Sequence, residues 1–322
     1  MRKSQPLYYS IESLFETIIK HVAKLHSTEV INAKYSGGSL WIILKNILKF
    51  KKIKNSVCHI TGDIHYMALA TGRNTVLTIH DIGSALKGSV LKKLYIKTLW
   101  FWLPALFVKR ITVISEFTKR ELELIIPFAK NKIKVVYNPI SHLFKQKDYT
   151  FNQQCPTILC IGSKSNKNLE RLFESLRGIT CKLHLIGHLS DKQLRLLQEY
   201  HINYINSVNL TQKEIVESYE NCDLLCFPST YEGFGMPIIE AQAVGRPVIT
   251  SNVGAMLEVA NNSACLVDPF DYKSIKKGIV TVIANEDYRN QLIKKGLNNT
   301  KRFKAEVIAK EYVKVYEEVL NS

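Results

Sequence analysis

Residues 229–240 read STYEGFGMPIIE. Two carboxylates, Glu232 and Glu240, stand eight positions apart, with Gly233 and Gly235 between them and Pro237 opening an apolar run. Glycine reaches positive φ and lets a backbone approach a ligand closely. Proline suits the first turn of a helix, where its missing N–H is no loss. The stretch therefore predicts a loop that ends near Gly235 or Met236 and a helix over 236–244. The N–H groups and dipole at such a helix start attract an anion. Glu232 lies just before that point and Glu240 about one turn inside it. A phosphate at the helix start, with each carboxylate holding sugar hydroxyls, is the ligand this pattern fits. One glutamate on a helix is ordinarily a solvated surface group, but two that bracket a Gly-Pro helix start are more specific.

Working outward, short apolar runs rich in β-branched residues alternate with amphipathic stretches. They predict strands near 57–60, 75–79, 111–114 and 133–137. A second set falls near 157–161, 182–186, 202–205, 223–227, 247–250 and 264–267. Helical patterns cover 168–176, 191–200, 212–220 and 236–244. Strands that read as continuous apolar runs between helices indicate parallel sheets covered on both faces. The polar, turn-rich segment 138–156 separates the two sets. The expected fold class is α/β, with two doubly wound Rossmann-like domains facing a cleft. The expected boundaries are 1–149, 150–302 and a C-terminal helix over 303–322. One departure is expected at the start. A helix-like stretch at 10–25 stands where a first strand and glycine turn normally come, so that strand is absent or the true start lies upstream.

Open parallel sheets bind ligands beyond the carboxyl ends of their strands. His80-Asp81 follow TVLTI, Ser115-Glu116 follow ITVI, Gly187 follows KLHLI, and Ser229–Glu232 follow LLCFP. The run CIGSKSNKNLERLFESL at 160–176 ends a strand at Ile161 and starts a helix near Lys167 or Asn168. Between them Gly162, Lys164 and Lys167 sit at the strand end. Two lysines there suit a diphosphate as point charges, although solvated loop lysines are the plainer reading. His80 alone reads as a hydrogen-bonded structural histidine.

These segments resemble a known family. STYEGFGMPIIEAQAVGRPVITSNVGAMLEV followed by CLVDPFD is similar to the donor-site segment of retaining glycosyltransferases of family 4, which have the GT-B fold. IGSKSNKNLERL, ITVISEFTKREL and TIHD are similar to further segments of that family. The resemblance runs over about 57–320 and is most specific over 223–271. It implies that Glu240 binds ribose hydroxyls and that Glu232 lies near the donor sugar. It also implies backbone contacts from Phe234, Gly235 and Met236 to sugar and phosphate. Lys164 and Lys167 take the place of the cations that neutralise the diphosphate, with lysine at 164 where arginine is common. His80 takes the place of the histidine beside the reacting sugar. The family implies a metal-independent reaction with no cofactor, the nucleotide sugar being a substrate, and the chain has no D-x-D motif. A GDP- or UDP-linked hexose would pass to a glycan or lipid-linked acceptor, as in bacterial surface polysaccharide synthesis. The helix over 304–320 would cross back to the first domain.

Bulk features set the remaining limits. The chain has 322 residues, 46% hydrophobic and 22% charged, which is globular material. Residues 1–12 carry no apolar signal-peptide core and no run reaches the ~18 apolar residues of a membrane span, so a cytoplasmic chain is expected. The seven cysteines show no metal-ligand spacing and read as reduced thiols. The net charge of +16 is lopsided: residues 1–150 hold 24 Lys and Arg against 9 Asp and Glu. Stretches 41–55 and 91–110 interleave lysines with apolar and aromatic residues. They read either as helices on an anionic membrane surface, on the inner face of the plasma membrane, or as core helices with a basic face. Nucleic acid fits poorly with a carboxylate-lined site. Two other readings stand beside the transferase: a GT-B sugar-nucleotide epimerase, and a non-catalytic nucleotide-sugar binding subunit. A dehydrogenase ranks last, because no G-x-G-x-x-G follows a first strand.

Overall fold

The structure, a computed structural model, describes residues 11–35, 37–51, 55–83 and 88–321. It divides into two compact units, Met1–Pro139 with Ala305–Ser322, and Ile140–Lys304. Each is built on one parallel sheet.

The first unit holds β1 (Cys58–Ile60), β2 (Thr75–Ile79), β3 (Arg110–Val113) and β4 (Ile133–Val135), paired in chain order. All five residues of β2 are buried, as a strand covered on both faces requires. One apolar cluster joins Leu77, Ile79, Ile111 and Val113 to Tyr66, Phe101, Ala105 and Leu122 from the crossovers. Another joins Val76 and Val136 to Leu14, Phe15 and Ile18 of helix Ile11–Val22 and to Ile308, Tyr312 and Val319 of helix Ala305–Asn321. The C-terminal helix is therefore part of this unit's core. Arg110 and Lys134 both pair with its Glu318.

The stretch 91–110 resolves into two behaviours. Helix Val90–Ile96 passes into a π-helical turn, Lys97–Trp102, and then helix Leu103–Phe107. Phe101 is buried, and the indole N–H groups of Trp100 and Trp102 donate to the carbonyls of Asp63 and Ile125. Phe101 is a core residue, and Trp100 and Trp102 are half-buried against the same cluster.

The second unit holds β5 (Thr157–Ile161), β6 (Lys182–Ile186), β7 (Tyr204–Ser207), β8 (Leu224–Phe227), β9 (Val248–Ser251) and β10 (Cys265–Val267), in the order β10-β9-β8-β5-β6-β7. The strand order reverses between β5 and β8, a doubly wound arrangement with its switch point there. Strand β7 begins two residues later than the pattern at 202–205 suggests. Ile202 still closes the preceding helix, its N–H donating to the Leu197 carbonyl at 3.0 Å.

The segment 140–149, which the sequence pattern assigns to the first domain, packs in the second unit. Ile140 N–H donates to Phe303 O, Phe144 packs edge-on to Tyr219, and Lys147 pairs with Glu220. The buried Arg246 completes the attachment. Its guanidinium donates to the Lys147 carbonyl and lies 3.6 Å from the Tyr149 ring centroid. The division between the units, at Pro139 and Ile140, lies inside the polar, turn-rich stretch 138–156, and the rest of that stretch packs on the second unit.

None of the seven cysteines is in a disulfide, and five are buried. Burial pushes the Cys160 thiol up to about 12, so it is an inert core group.

Candidate functional site

The carboxyl ends of β5 and β8 lie side by side, since Ile158 pairs with Leu224 and Leu159 with Leu225. Two loops leave these ends. The first carries Gly162 to Asn168 and the second Pro228 to Gly235.

Gly162 has φ +91, and a Cβ there would meet Cε of Lys167 at 2.7 Å. The missing side chain lets Lys167 fold back over the strand end. Its ammonium lies 2.6 Å from Glu232 Oε1 and 4.6 Å from the Phe227 ring centroid. Both partners of this ion pair are about one-sixth exposed. Lys164, by contrast, is exposed.

Two asparagines that the sequence reading passed over stitch the loops together. Asn166 donates from Nδ2 to Glu232 Oε1 and to the Tyr231 carbonyl, while its own carbonyl accepts from Thr230 N–H. Asn168 sits buried in the left-handed region at φ 61 and donates to the Pro228 and Pro269 carbonyls. Asparagine tolerates that conformation better than most residues. The sequence signal was present: Asn168 directly precedes the apolar periodicity of helix Leu169–Leu176, where cap residues stand.

The second loop ends in Gly235 at φ 107, the N-cap of helix Met236–Val244 with proline in the first turn. Glycine offers no side chain to cap the first-turn N–H groups, so no side-chain cap bond is made. Phe234 turns inward, edge-on to Phe303 at 5.6 Å, so only its backbone is on the loop's polar side.

Glu240 is placed differently from a surface carboxylate. It is only 3% exposed, on a helix whose Ile238, Ile239, Ala241, Gln242 and Val244 are all buried. One oxygen, Oε2, accepts from the Tyr219 hydroxyl. The other, Oε1, has no hydrogen-bond partner among the described residues, and neither has the buried hydroxyl of Ser229. Burial pushes the Glu240 carboxyl up to about 7, opposed by the Tyr219 hydrogen bond and the charge of Lys167. The field of Lys167 therefore reaches both carboxylates.

His80 belongs to the first unit, at the end of β2. Its Nε2 donates to the Thr61 carbonyl at 3.0 Å, which leaves Nδ1 in the acceptor tautomer. Burial lowers its pKa, against the Thr61 bond and the charges of Asp63 and Asp81, so the ring is neutral. The structure thus gathers Gly162, Lys167, Glu232, Gly235, Met236 and Glu240 around one switch point, with Lys164 at its exposed edge. Among the described residues no group of three or more His, Cys, Asp or Glu side chains is placed to hold a metal ion.

A partly buried cation, paired with one carboxylate and acting on a second through its field, lies beside an uncapped helix start, a combination with the chemistry to hold an anion. A family model described as Glycosyl transferases group 1 matches residues 143–299, and one described as Glycosyltransferase Family 4 matches 7–142. An uncharacterized glycosyltransferase of Methanocaldococcus jannaschii is 26% identical over 76% of this chain and 68% of its own length. The O-antigen chain mannosyltransferase RfbU of Salmonella typhimurium is 27% identical, over 76% of this chain and 69% of its own. In fold, the chain is similar to HepE of Anabaena, solved with UDP and glucose, with a TM-score of 0.74, 16% identity and 98% of each chain covered. It is also similar to WaaG, a glycosyltransferase involved in lipopolysaccharide biosynthesis, with a TM-score of 0.67, 14% identity, and 96% and 97% covered. The chain belongs to the group 1 glycosyltransferases of family 4, enzymes of the two-domain Rossmann-like GT-B fold.

Proposed function

We infer that this glycosyltransferase moves a hexose, with retention of configuration, from a nucleotide-diphosphate sugar to a glycan or lipid-linked acceptor in surface polysaccharide synthesis. The observation that carries the reading is Lys167, held between Glu232 and the field of Glu240 at the β5–β8 switch point. O-antigen chain mannosyltransferases among the relatives, and the UDP and UDP-glucose complexes of HepE, support a sugar nucleotide as donor. The nucleotide of that donor is GDP or UDP.

The chemistry follows from charge. As the bond between C1 and the phosphate oxygen breaks, negative charge grows on the diphosphate. Lys167, Lys164 and the helix start at Gly235 lie where that charge develops, and fixed charges of this kind stabilise it with little reorganisation. Glu240 would accept from ribose hydroxyls and Glu232 from the sugar. His80, neutral with Nδ1 as acceptor, would serve the sugar being transferred. With cations already in place for the leaving group, we propose that the reaction uses neither metal nor cofactor.

The test is a panel of GDP- and UDP-sugars, with thermal shift and nucleotide release measured in EDTA. One donor should raise the melting temperature and release its nucleotide with chelator present. Release that appears only when divalent metal is restored would overturn the metal-independent reading. No response to any donor would overturn the donor site itself.

The proposed location is the cytoplasmic face of the plasma membrane, reached through the first unit. Among the described residues no helix is long and apolar enough to cross a membrane. Helix Leu40–Lys49 buries Ile43 and Asn46 and turns Leu40, Trp41, Leu44 and Leu48 outward, Trp41 at 74% and Leu48 at 81% exposure. Helix Val90–Ile96 likewise exposes Val90, Leu91 and Leu94, and Tyr95 ties it to the start of the first by donating to the Gly38 carbonyl. Lys45, Lys49, Lys92 and Lys93 stand among these apolar residues. Residues 52–54, in the basic stretch that follows, lie outside the described residues. Such apolar ridges with lysines match an anionic interface. The protein should co-sediment with anionic phospholipid vesicles and less with neutral ones. The combined change Trp41→Ser, Leu44→Ser and Leu48→Ser should abolish sedimentation while leaving nucleotide binding unchanged. Unaltered sedimentation of that variant would refute this face.

A further inference from the structure

We propose that Tyr219 is the positioning residue of the donor site: its hydroxyl holds one oxygen of Glu240 so that the other is left to accept from the donor's hydroxyls. The proposal rests on the reading of Glu240 as the residue that binds those hydroxyls.

The geometry carries it. Tyr219 is fully buried on helix Gln212–Glu220, and its ring is held edge-on by Phe144 at 5.4 Å between centroids. A capping box between Thr211 and Glu214 fixes the start of that helix. The phenol is therefore not free to follow the carboxylate; the carboxylate is held to the phenol. Glu240 Oε2 is occupied by this bond, and Oε1 has no partner among the described residues. A buried polar atom without a partner is destabilising. A native fold keeps such an atom where it has a use, and accepting from a hydroxyl is one.

The charge state gives Tyr219 a second duty. To accept from a hydroxyl, Oε1 must carry no proton. Burial favours the proton, and two groups facing Glu240 oppose burial. They are Tyr219 from its helix and Lys167 from the loop after β5, itself paired with Glu232. Loss of the phenol hydroxyl leaves Lys167 alone in that role. The carboxyl then keeps its proton to higher pH, and Oε1 becomes a donor facing donors.

The experiment titrates the protein with UDP and GDP between pH 5.5 and 9, using whichever nucleotide binds, for wild type, Tyr219→Phe and Glu240→Gln. Phenylalanine keeps the ring against Phe144. The expected result for Tyr219→Phe is a Kd raised by about tenfold at pH 7, a midpoint of the pH dependence moved to higher pH, and a gap to wild type that narrows by pH 9. The nucleotide's own phosphate titration is common to all three proteins and cancels. Glu240→Gln should bind weakly at every pH and lose the midpoint. Wild-type binding by Glu240→Gln, or no binding of either nucleotide by wild type, overturns the donor-site reading and this proposal with it. A weakened Glu240→Gln beside a Tyr219→Phe with unmoved Kd and midpoint overturns the positioning role alone. Should Tyr219→Phe not fold, 3-fluorotyrosine at 219 provides the opposite test. Its more acidic hydroxyl donates more strongly, so the midpoint should move to lower pH, and an unmoved midpoint rejects the proposal.

Discussion

Lys167→Ala is expected to lower kcat/KM by about two to three orders of magnitude, equivalent to about 2.7–4 kcal/mol of transition-state stabilisation. The size follows from where the ammonium is held. It is about five-sixths buried, packed over the glycine at 162 and the ring of Phe227, and fixed by Glu232 and the loop contacts of Asn166. A cation in such surroundings is less screened than one in water, and it need not reorganise as charge develops on the departing phosphate. Lys164 makes the control. It is exposed, so its charge is screened and mobile, and Lys164→Ala should cost far less. Lys167→Arg should rescue only in part. The space above Gly162 is already filled by the methylenes of Lys167, and a planar guanidinium would have to displace either them or the Glu232 contact. Steady-state kinetics over a range of donor concentrations separates the outcomes. Loss of ground-state phosphate contact raises KM, and loss of charge stabilisation lowers kcat. A Lys167→Ala enzyme within twofold of wild type on both constants would remove this lysine from the chemistry.

The parts of the site legible in the sequence are those whose chemistry is local. Gly235, Pro237 and the apolar run after them announce a helix start, and the helix occupies Met236–Val244. Gly162 and Lys167 are five residues apart, and one strand end with one short 3-10 turn is enough to stack them. What the pattern does not contain is long-range partnership. Tyr219 reaches Glu240 across 21 positions, and Asn166 reaches Glu232 across 66. The first pair is made by the packing of helix Gln212–Glu220 on helix Met236–Val244 and the second by the pairing of β5 with β8, and the spacing encodes neither. The burial of Glu240 was half visible: a helix apolar on every side is a covered helix, and any glutamate in it is covered too. In the first unit, a basic aromatic run such as 91–110 has one composition and two fates. The π-helical turn at Lys97–Trp102 changes which side chains face inward, and periodicity at 3.6 residues cannot register that change. Segment 140–149 is polar and irregular, so its composition does not say which unit it joins. Its attachment depends on Arg246, a residue a hundred positions away.

The burial of Glu240 also predicts a stability that falls as pH rises. Its folded pKa of about 7 lies above the ordinary carboxyl value of 4.5. Between those limits the native protein holds a proton that the unfolded chain has released, so deprotonation favours unfolding. Below about pH 4.5 the group contributes no penalty, and above about pH 7 the penalty is complete. The shift corresponds to about 3 kcal/mol. Other groups act in the same window with the opposite sign. Burial depresses the His59 pKa to about 3, and His65 and His80 are also depressed, so these rings withhold protons that the unfolded chain takes up below about 6.5. Their stabilisation is lost as pH falls. The raw wild-type curve therefore mixes both slopes, and the difference between wild type and Glu240→Gln isolates one. Glutamine keeps an acceptor for the Tyr219 hydroxyl and cannot titrate. Denaturant unfolding from pH 4.5 to 8 should show the variant gaining on wild type by about 3 kcal/mol across the range, whatever constant offset the amide introduces. Parallel curves would mean that Glu240 titrates normally and is not held in a dry site. On the proposed donor-site reading, a carboxylate that destabilises its own fold at neutral pH is the kind of strain a binding site keeps because the ligand relieves it. The nucleotide should accordingly stabilise wild type more at pH 8 than at pH 6, where the proton competes with the hydroxyls for the same oxygen.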